Sequence, residues 1–189
     1  NTAELAAMED LDPYVQDALD LIEFANSSVD TKWGKIRAGL GHPAPFNLKM
    51  LGVGNENWGP QYIERLKVFQ EAIKKKYPDI KLICSSGIMP DGELFDFLNS
   101  ELRKMNVGFI DEHYYSSPKW FLDNAKRYDN YDRKSVSKVF VGEYAAQSDR
   151  TTSPDNKNNW YTALTEAAFL TGLERNADVV QMASYAPLF

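Results

Sequence analysis

Cysteine is almost missing from this 189-residue chain. Cys84 stands alone, so no disulfide can close within the chain and no thiolate metal site can be built from it. Its isolation leaves the redox compartment open. Histidine is scarce too: only His42 and His113 occur, with no HExxH pattern and no other recognised metal spacing. No apolar run approaches the roughly 20 residues that cross a bilayer as a helix. Positive charge is not in excess, since 21 Lys and Arg face 27 Asp and Glu for a net −6. That balance argues against a nucleic-acid backbone as the main partner. Low-complexity tracts, flexible Gly/Ser linkers and repeats with a period of roughly 20 to 50 residues are absent as well. What is present is core material: 43% hydrophobic and 13% aromatic residues exclude intrinsic disorder. The length fits one domain or part of a larger one. Asn1 is not an initiator Met and no leader pattern follows it, while Phe189 closes an apolar stretch. The expectation is a piece of a longer protein.

The element pattern repeats although residue identities do not. Asp12-Pro13 opens a helix with Val15, Ala18, Leu19, Ile22 and Ala25 on one stripe. Thr31 to Asn47 reads as a polar crossover. Met50 to Gly54 is short and apolar, as a buried strand is. Pro60 starts a helix with Tyr62, Leu66, Phe69 and Ile73 facing the core, closing at Tyr77-Pro78. Strands are then predicted at Ile80–Ser85, Val107–Ile110, Lys138–Val141 and Val179–Ala183. Helices are predicted at Gly92–Met105 (core positions Leu94, Leu98, Leu102 and Met105), Lys119–Tyr128 and Asn158–Glu174. Strands alternating with helices require parallel, right-handed crossovers, so the fold class is α/β. Periodicity does not say whether the sheet is open or closed.

In parallel α/β folds ligands meet the carboxyl ends of the strands. Those ends hold Asn55-Glu56-Asn57-Trp58, Ser85-Ser86, Asp111-Glu112-His113-Tyr114-Tyr115, Glu143-Tyr144 and Gln181 to Tyr185. Acids, amides and aromatics gathered at one rim suit carbohydrate, with rings to stack on sugars and carboxylates for the chemistry. Glu56 and Glu143 each follow an apolar strand ending in glycine, and both should project from the same rim. Glycoside hydrolysis needs two such carboxylates in different roles. The ordinary alternative is a helix N-terminal charge or a solvated loop residue. Asn55 could bond a sugar hydroxyl, and Tyr115 could reach one of the glutamates.

These motifs resemble a known family. Gly54-Asn55-Glu56 on one strand and Val141-Gly142-Glu143-Tyr144 three strands later are similar to the clan of (β/α)8 retaining glycosidases. There Asn-Glu ends the fourth strand and a second Glu the seventh. Gly-Asn-Glu-Asn-Trp-Gly-Pro, Asp-Glu-His-Tyr-Tyr and Met-Ala-Ser-Tyr-Ala-Pro-Leu-Phe resemble more closely the α-L-arabinofuranosidases of glycoside hydrolase family 51. The resemblance covers nearly the whole chain. It implies a partial (β/α)8 TIM barrel, strands four to eight, with residues 1–189 as the C-terminal part of the catalytic domain. The family's first three strands and their sugar-binding residues, the glutamine beyond its eighth strand and its C-terminal β-sandwich have no counterpart here. By the same resemblance Glu56 is the general acid/base and Glu143 the nucleophile. Asn55 bonds the arabinose 2-hydroxyl, His113 and Tyr115 line the site with Tyr115 donating towards Glu143, and Trp58 belongs to the pocket rim. The implied partner is an arabinose-containing oligosaccharide or polysaccharide, cleaved with retention and without metal or organic cofactor. A secreted or periplasmic location goes with that substrate class. Five strands cannot close an eight-stranded barrel, so open edges, self-association and little activity of the chain alone are expected.

Other readings stay open: a xylanase or galactosidase of the same clan, a non-catalytic carbohydrate-binding fragment, or a nucleotide-dependent α/β enzyme. Against the last, Gly52-Val53-Gly54 starts a dinucleotide fingerprint, but its third glycine position holds Asn57. Glu112 reads as a polar support and a fallback carboxylate, and His113 as a structural or sugar-contacting residue before a metal ligand. Lys74-Lys75-Lys76 reads as a solvated helix end, and Asn26-Ser27-Ser28 as a chance glycosylation sequon. Of Trp58, Tyr114, Tyr115, Trp120 and Tyr144, part belongs to the core.

Overall fold

The computed structural model describes residues 5–151 and 153–186. Two compact units divide the chain: the residues up to Val53 with Pro60–Leu82, and Gly54–Gly59 with the chain from Ile83 onward. Their five strands form one sheet in chain order.

The first unit holds helices α1 (Asp12–Asn26), α2 (Lys32–Gly39) and α3 (Pro60–Lys76), strand β1 (Met50–Val53) and the start of β2 (Lys81–Ser85). Pro13 sits in the first turn of α1, where its missing N–H costs nothing. Val15, Ile22 and Ala25 are buried on one stripe of α1, and Tyr62, Ile63, Leu66 and Ile73 on one of α3, while Phe69 is only half-buried. The Thr31–Asn47 segment is not the unstructured crossover that its composition predicts: α2 forms inside it. Thr31 caps this helix, accepting from the Gly34 N–H at 3.2 Å. Gly34 weakens the helical signal of the sequence, but the packing needs it, because a Cβ there would lie 2.0 Å from the Ser28 carbonyl oxygen. Arg37 is fully buried. Its guanidinium donates to the carbonyls of Phe24 (2.6 Å), Ser27 (2.9 Å), His42 (3.0 Å) and Pro43 (3.1 Å). A cation amid carbonyls at the end of α1 satisfies orphaned acceptors and complements the helix dipole.

The second unit contains Ile83–Ser85 of β2 with β3 (Phe109–Ser116), β4 (Lys138–Ala146) and β5 (Val180–Tyr185), paired in parallel. Helices α4 (Glu93–Lys104), α5 (Pro118–Asp123) and α6 (Trp160–Arg175) connect them. On α4 the buried positions are Phe95, Leu98 and Leu102, while the expected Leu94 is 47% exposed. The helix predicted over Lys119–Tyr128 is instead short α5 followed by a 3-10 turn at Arg127–Asn130. Asn159 and Thr162 close a reciprocal capping box at the start of α6. The core packs Tyr114, Val139, Val141 and Tyr144 of the sheet against Phe121, Phe169 and Leu173 of the helices. Phe169 meets Phe121 edge-on at 5.2 Å and Tyr114 at 5.7 Å between ring centroids, a geometry that aromatic quadrupoles favour.

Both central strands outrun their sequence signals. β3 continues six residues beyond Ile110, and β4 five beyond Val141. The apolar runs stop there because the inward positions turn polar, and alternation takes over. Ile110, Glu112 and Tyr114 are buried at 0% exposure. Contacts of Glu112 with Asn99 and of Tyr114 with Phe169 set that face of β3 towards the helices. Asp111, His113 and Tyr115 take the opposite face.

Candidate active site

On β4, alternation from Val139 and Val141, which lie in the helix-side core, would send Glu143 to that same side. The structure avoids this with a one-residue bulge. Glu112 pairs with Val141 but His113 pairs with Glu143, so Gly142 has no partner in the ladder. One inserted residue inverts the parity. Tyr144 then returns to the core, and Glu143 shares the inner face with His113. Gly142 fits because it lacks a Cβ, which would stand 2.0 Å from Asp111 Oδ1.

Glu56 reaches the same place from the loop Gly54–Gly59. It adopts the left-handed region at φ 53°, between Gly54 at 86° and Gly59 at 81°, a conformation that costs a non-glycine residue roughly 1–3 kcal/mol. The loop is pinned by Asn57, whose Oδ1 accepts from the Asn55 N–H (2.7 Å) and whose carbonyl accepts from Ser85 Oγ (3.3 Å).

One oxygen each from Glu56 and Glu143 and one ring nitrogen of His113 lie within 4.8 Å of one another. His113 Nδ1 is 3.1 Å from Glu56 Oε1 and 3.8 Å from Glu143 Oε2, and its Nε2 is 3.3 Å from Asp111 Oδ2. Both ring nitrogens therefore face carboxylates, an arrangement for a doubly protonated imidazolium. Burial pulls the His113 pKa down, but the bonds to Asp111 and Glu56 and the charges of Asp111 and Glu143 outweigh it and lift the pKa to about 9. The three groups are close enough to gather a cation, yet an imidazolium has no lone pair to offer one. The donor set fits a proton better than a metal. Tyr115 Oη donates to Glu143 Oε2 at 2.8 Å. Burial first, and then the Glu143 bond, raise the Tyr115 pKa, so the phenol stays a donor.

Of the six residues predicted from sequence, Glu56, His113, Tyr115 and Glu143 form this cluster, two hydrogen-bonded pairs joined by the 3.8 Å contact of His113 with Glu143. Asn55 and Trp58 share the Glu56 loop. Asn55 is exposed and, among the described hydrogen bonds, is not joined to the cluster; Trp58 is 48% exposed, with its Cβ against the Gly87 turn. Glu112, the fallback carboxylate, faces away. It accepts from Asn99 (3.1 Å) and Tyr128 (2.9 Å), contacts Tyr114 Oη, and lies 3.7 Å from Arg127. Trp120, Tyr114 and Tyr144 belong to the aromatic core. Two participants escaped the sequence reading. Asp111 was legible as the third member of an alternating Asp-x-His-x-Tyr set, whereas the bulge at Gly142 left no sequence signal beyond a glycine. Beside the cluster, Tyr115, Gln147, Asn156 and Tyr185 border a cavity of about 550 Å³. Amides and phenols are groups that bond hydroxyls and stack on rings.

Comparison with known proteins agrees along the length of the chain. Residues 1–133 match the family model described as the α-L-arabinofuranosidase 1 domain, and residues 142–189 that of the α-L-arabinofuranosidase C-terminal domain. The chain is 53% identical over 176 residues to an extracellular exo-α-L-arabinofuranosidase of Streptomyces chartreusis, covering 93% of this chain and 20% of that protein. It is 41% identical over 181 residues to α-L-arabinofuranosidase 2 of Arabidopsis thaliana, covering 94% and 24%. It thus spans about a fifth to a quarter of these relatives. Among solved structures, an arabinose-bound family 51 α-L-arabinofuranosidase superposes with a TM-score of 0.78 at 33% identity, over 100% of this chain and 30% of that one. The Thermotoga maritima enzyme in its arabinose complex is similar in fold, with a TM-score of 0.70 at 22% identity over 92% and 41%. The five strands correspond to part of the (β/α)8 barrel of these structures.

Proposed function

Because the chain belongs to the α-L-arabinofuranosidase family, we propose that the protein carrying it removes terminal α-L-arabinofuranosyl groups from arabinose-containing saccharides with retention of configuration. The observation that carries this reading is the convergence of Glu56 and Glu143, with an oxygen of each within 4.8 Å of the other. That is an approach of single oxygens and not a separation of whole groups, but it supports the close pair of a retaining mechanism, with carboxyl groups roughly 5 to 5.5 Å apart, over the separation of about 6.5 to 9.5 Å that inversion needs to admit a water. The arabinose complexes of the structural relatives support the choice of sugar.

In this reading a Glu143 oxygen attacks the anomeric carbon while Glu56 gives its proton to the departing glycosidic oxygen. The bond to the aglycone breaks and an arabinosyl ester of Glu143 forms. Glu56, now a carboxylate, takes a proton from water, whose oxygen attacks the same carbon and frees Glu143. Tyr115 holds the attacking carboxylate by its 2.8 Å bond. Between the two glutamates the His113 cation stabilises whichever of them carries the negative charge. When Glu143 is esterified and loses its charge, that cation faces Glu56 with less competition and stabilises the carboxylate needed for the second step. Asn55 and Trp58, on the Glu56 loop, take the sugar hydroxyl and the pocket rim.

The test is made in the full-length protein. Glu143→Ala should abolish turnover of all substrates, and azide should restore an adduct of inverted configuration. Glu56→Ala should retain the first step on substrates with good leaving groups, accumulate the ester, and give a retained azide adduct. The same stereochemistry from both variants would overturn the assignment.

A further inference from the structure

We propose that Asp111 is a positioning residue of this site: seated over Gly142 and against His113 Nε2, it fixes the imidazole so that Nδ1 stays aimed at Glu56. The inference rests on the reading of Glu56 as the acid/base.

Asp111 is held at both ends. Its backbone carbonyl accepts from the Ser86 N–H (2.9 Å) and from Ser86 Oγ (2.8 Å). Its side chain occupies the space that a Cβ on residue 142 would take, so the bulge that turns Glu143 inward also makes room for this carboxylate. Only one of its oxygens is used, because Oδ1 is buried without a hydrogen-bond partner. The Asp111 side chain is part-buried at 14% exposure, and a buried oxygen left without a hydrogen bond is costly; a cation beside the carboxylate offsets that cost. The partner is His113, 2% exposed and 3.3 Å away. The ionisable groups facing His113 are Asp111 on its own strand, Glu56 from the Gly54–Gly59 loop and Glu143 from β4. Two of the three are committed to chemistry whose charge changes during turnover. Asp111 alone keeps a constant charge, so it is the group that can hold the imidazolium through both steps. Its influence on the reaction passes through His113 to Glu56, and therefore through proton transfer to the leaving group.

The experiment compares Asp111→Asn, Asp111→Ala, His113→Gln and the Asp111→Asn/His113→Gln double variant of the full-length protein with the parent. Two substrates are used: a dinitrophenyl arabinofuranoside, which leaves without a proton, and an alkyl arabinofuranoside, which needs one. General acid catalysis contributes about 10²–10⁴-fold. Asp111→Asn, which keeps shape and loses charge, is expected to cut kcat/KM, which reports the first step, on the alkyl substrate by about 10- to 100-fold and to leave kcat/KM on the dinitrophenyl substrate nearly unchanged. The double variant should lose no more than His113→Gln alone. Equal losses of kcat/KM on both substrates, or losses that multiply in the double variant, would overturn the proposal. A readout independent of turnover is the His113 imidazole titration followed by nitrogen-15 NMR. Its midpoint should fall by at least about one unit in Asp111→Asn and in Asp111→Ala, and an unchanged midpoint in either folded variant overturns the proposal even if the other is unstable. Azide products of Glu56→Ala and Glu143→Ala judge the function separately. If they behave as proposed while Asp111→Asn affects both substrates alike, only the positioning role falls.

Discussion

A single imidazole sets much of the electrostatics of this site. His113 enters the fold as a cation because three carboxylates surround it, and the same attraction ties its charge to stability. Its pKa rises from 6.5 to about 9 on folding, which corresponds to roughly 3 kcal/mol. The sign follows from the direction. A histidine whose folded pKa is raised contributes fully below its unfolded value near 6.5, and the contribution disappears as pH climbs through about 9. Urea unfolding of the full-length protein should therefore show a lower free energy at pH 9.5 than at pH 6. The difference should shrink in His113→Gln, which has no proton to lose. A pH dependence identical in parent and variant would mean that His113 is not charged in the folded state. At the same scale, Glu112 shows how one residue's displacement along a strand changes its role. Flanked by Asp111 and His113, it points the other way, and burial raises its pKa although Arg127 and Tyr128 pull it down. It serves the packing and not the rim.

At the scale of elements, close backbone approach explains what side-chain pattern does not. Helix α6 lies against the turn after α5 so tightly that a Cβ on Gly172 would stand 2.1 Å from the Ala125 carbonyl oxygen. Backbone cannot yield as a flexible side chain can. Gly172→Ala should destabilise the protein by about 1–3 kcal/mol, the usual cost of overpacking, even though alanine is the better helix former. Thermal melts of the two proteins decide it: an unchanged or higher midpoint would mean that α6 can shift without loss. The bulge at Gly142 is a different use of glycine. There the missing Cβ frees space for a functional carboxylate, and the ladder irregularity decides which face Glu143 occupies. Alternation alone would have buried that carboxylate among Val139, Val141 and Phe169.

On the scale of the whole molecule, five strands of an eight-stranded architecture bring together the two glutamates, His113 and Tyr115. The chain covers 30% of the arabinose-bound structure to which it is similar. Positioning by surrounding groups accounts for a large share of enzymatic rate. The 189-residue chain by itself should accordingly turn over an aryl arabinofuranoside at least about 100-fold more slowly than the full-length protein carrying it. Side-by-side assays of the two, with Glu143→Gln as the control for contaminants, measure this. Comparable specific activity that the control abolishes would show that these five strands already hold a complete site.

The sequence by itself determined the α/β alternation, the family and the candidate residues. Each is written locally: apolar runs separated by helical stripes, and Asn-Glu, Asp-Glu-His-Tyr-Tyr and Gly-Glu-Tyr at strand ends. It did not reveal α2, whose glycines mask a helix that packing requires, nor the true lengths of β3 and β4, where inward residues are polar because the site needs them so. Only tertiary structure decided which face each strand-end residue takes. Asp111 and His113 belong to the site and Glu112 to the core because pleating alternates them, and a sequence read as a loop carries no parity. Glu143 belongs to the site because one glycine is left out of the ladder. That choice depends on the register between two strands some 30 residues apart, which β3 and β4 fix only by pairing.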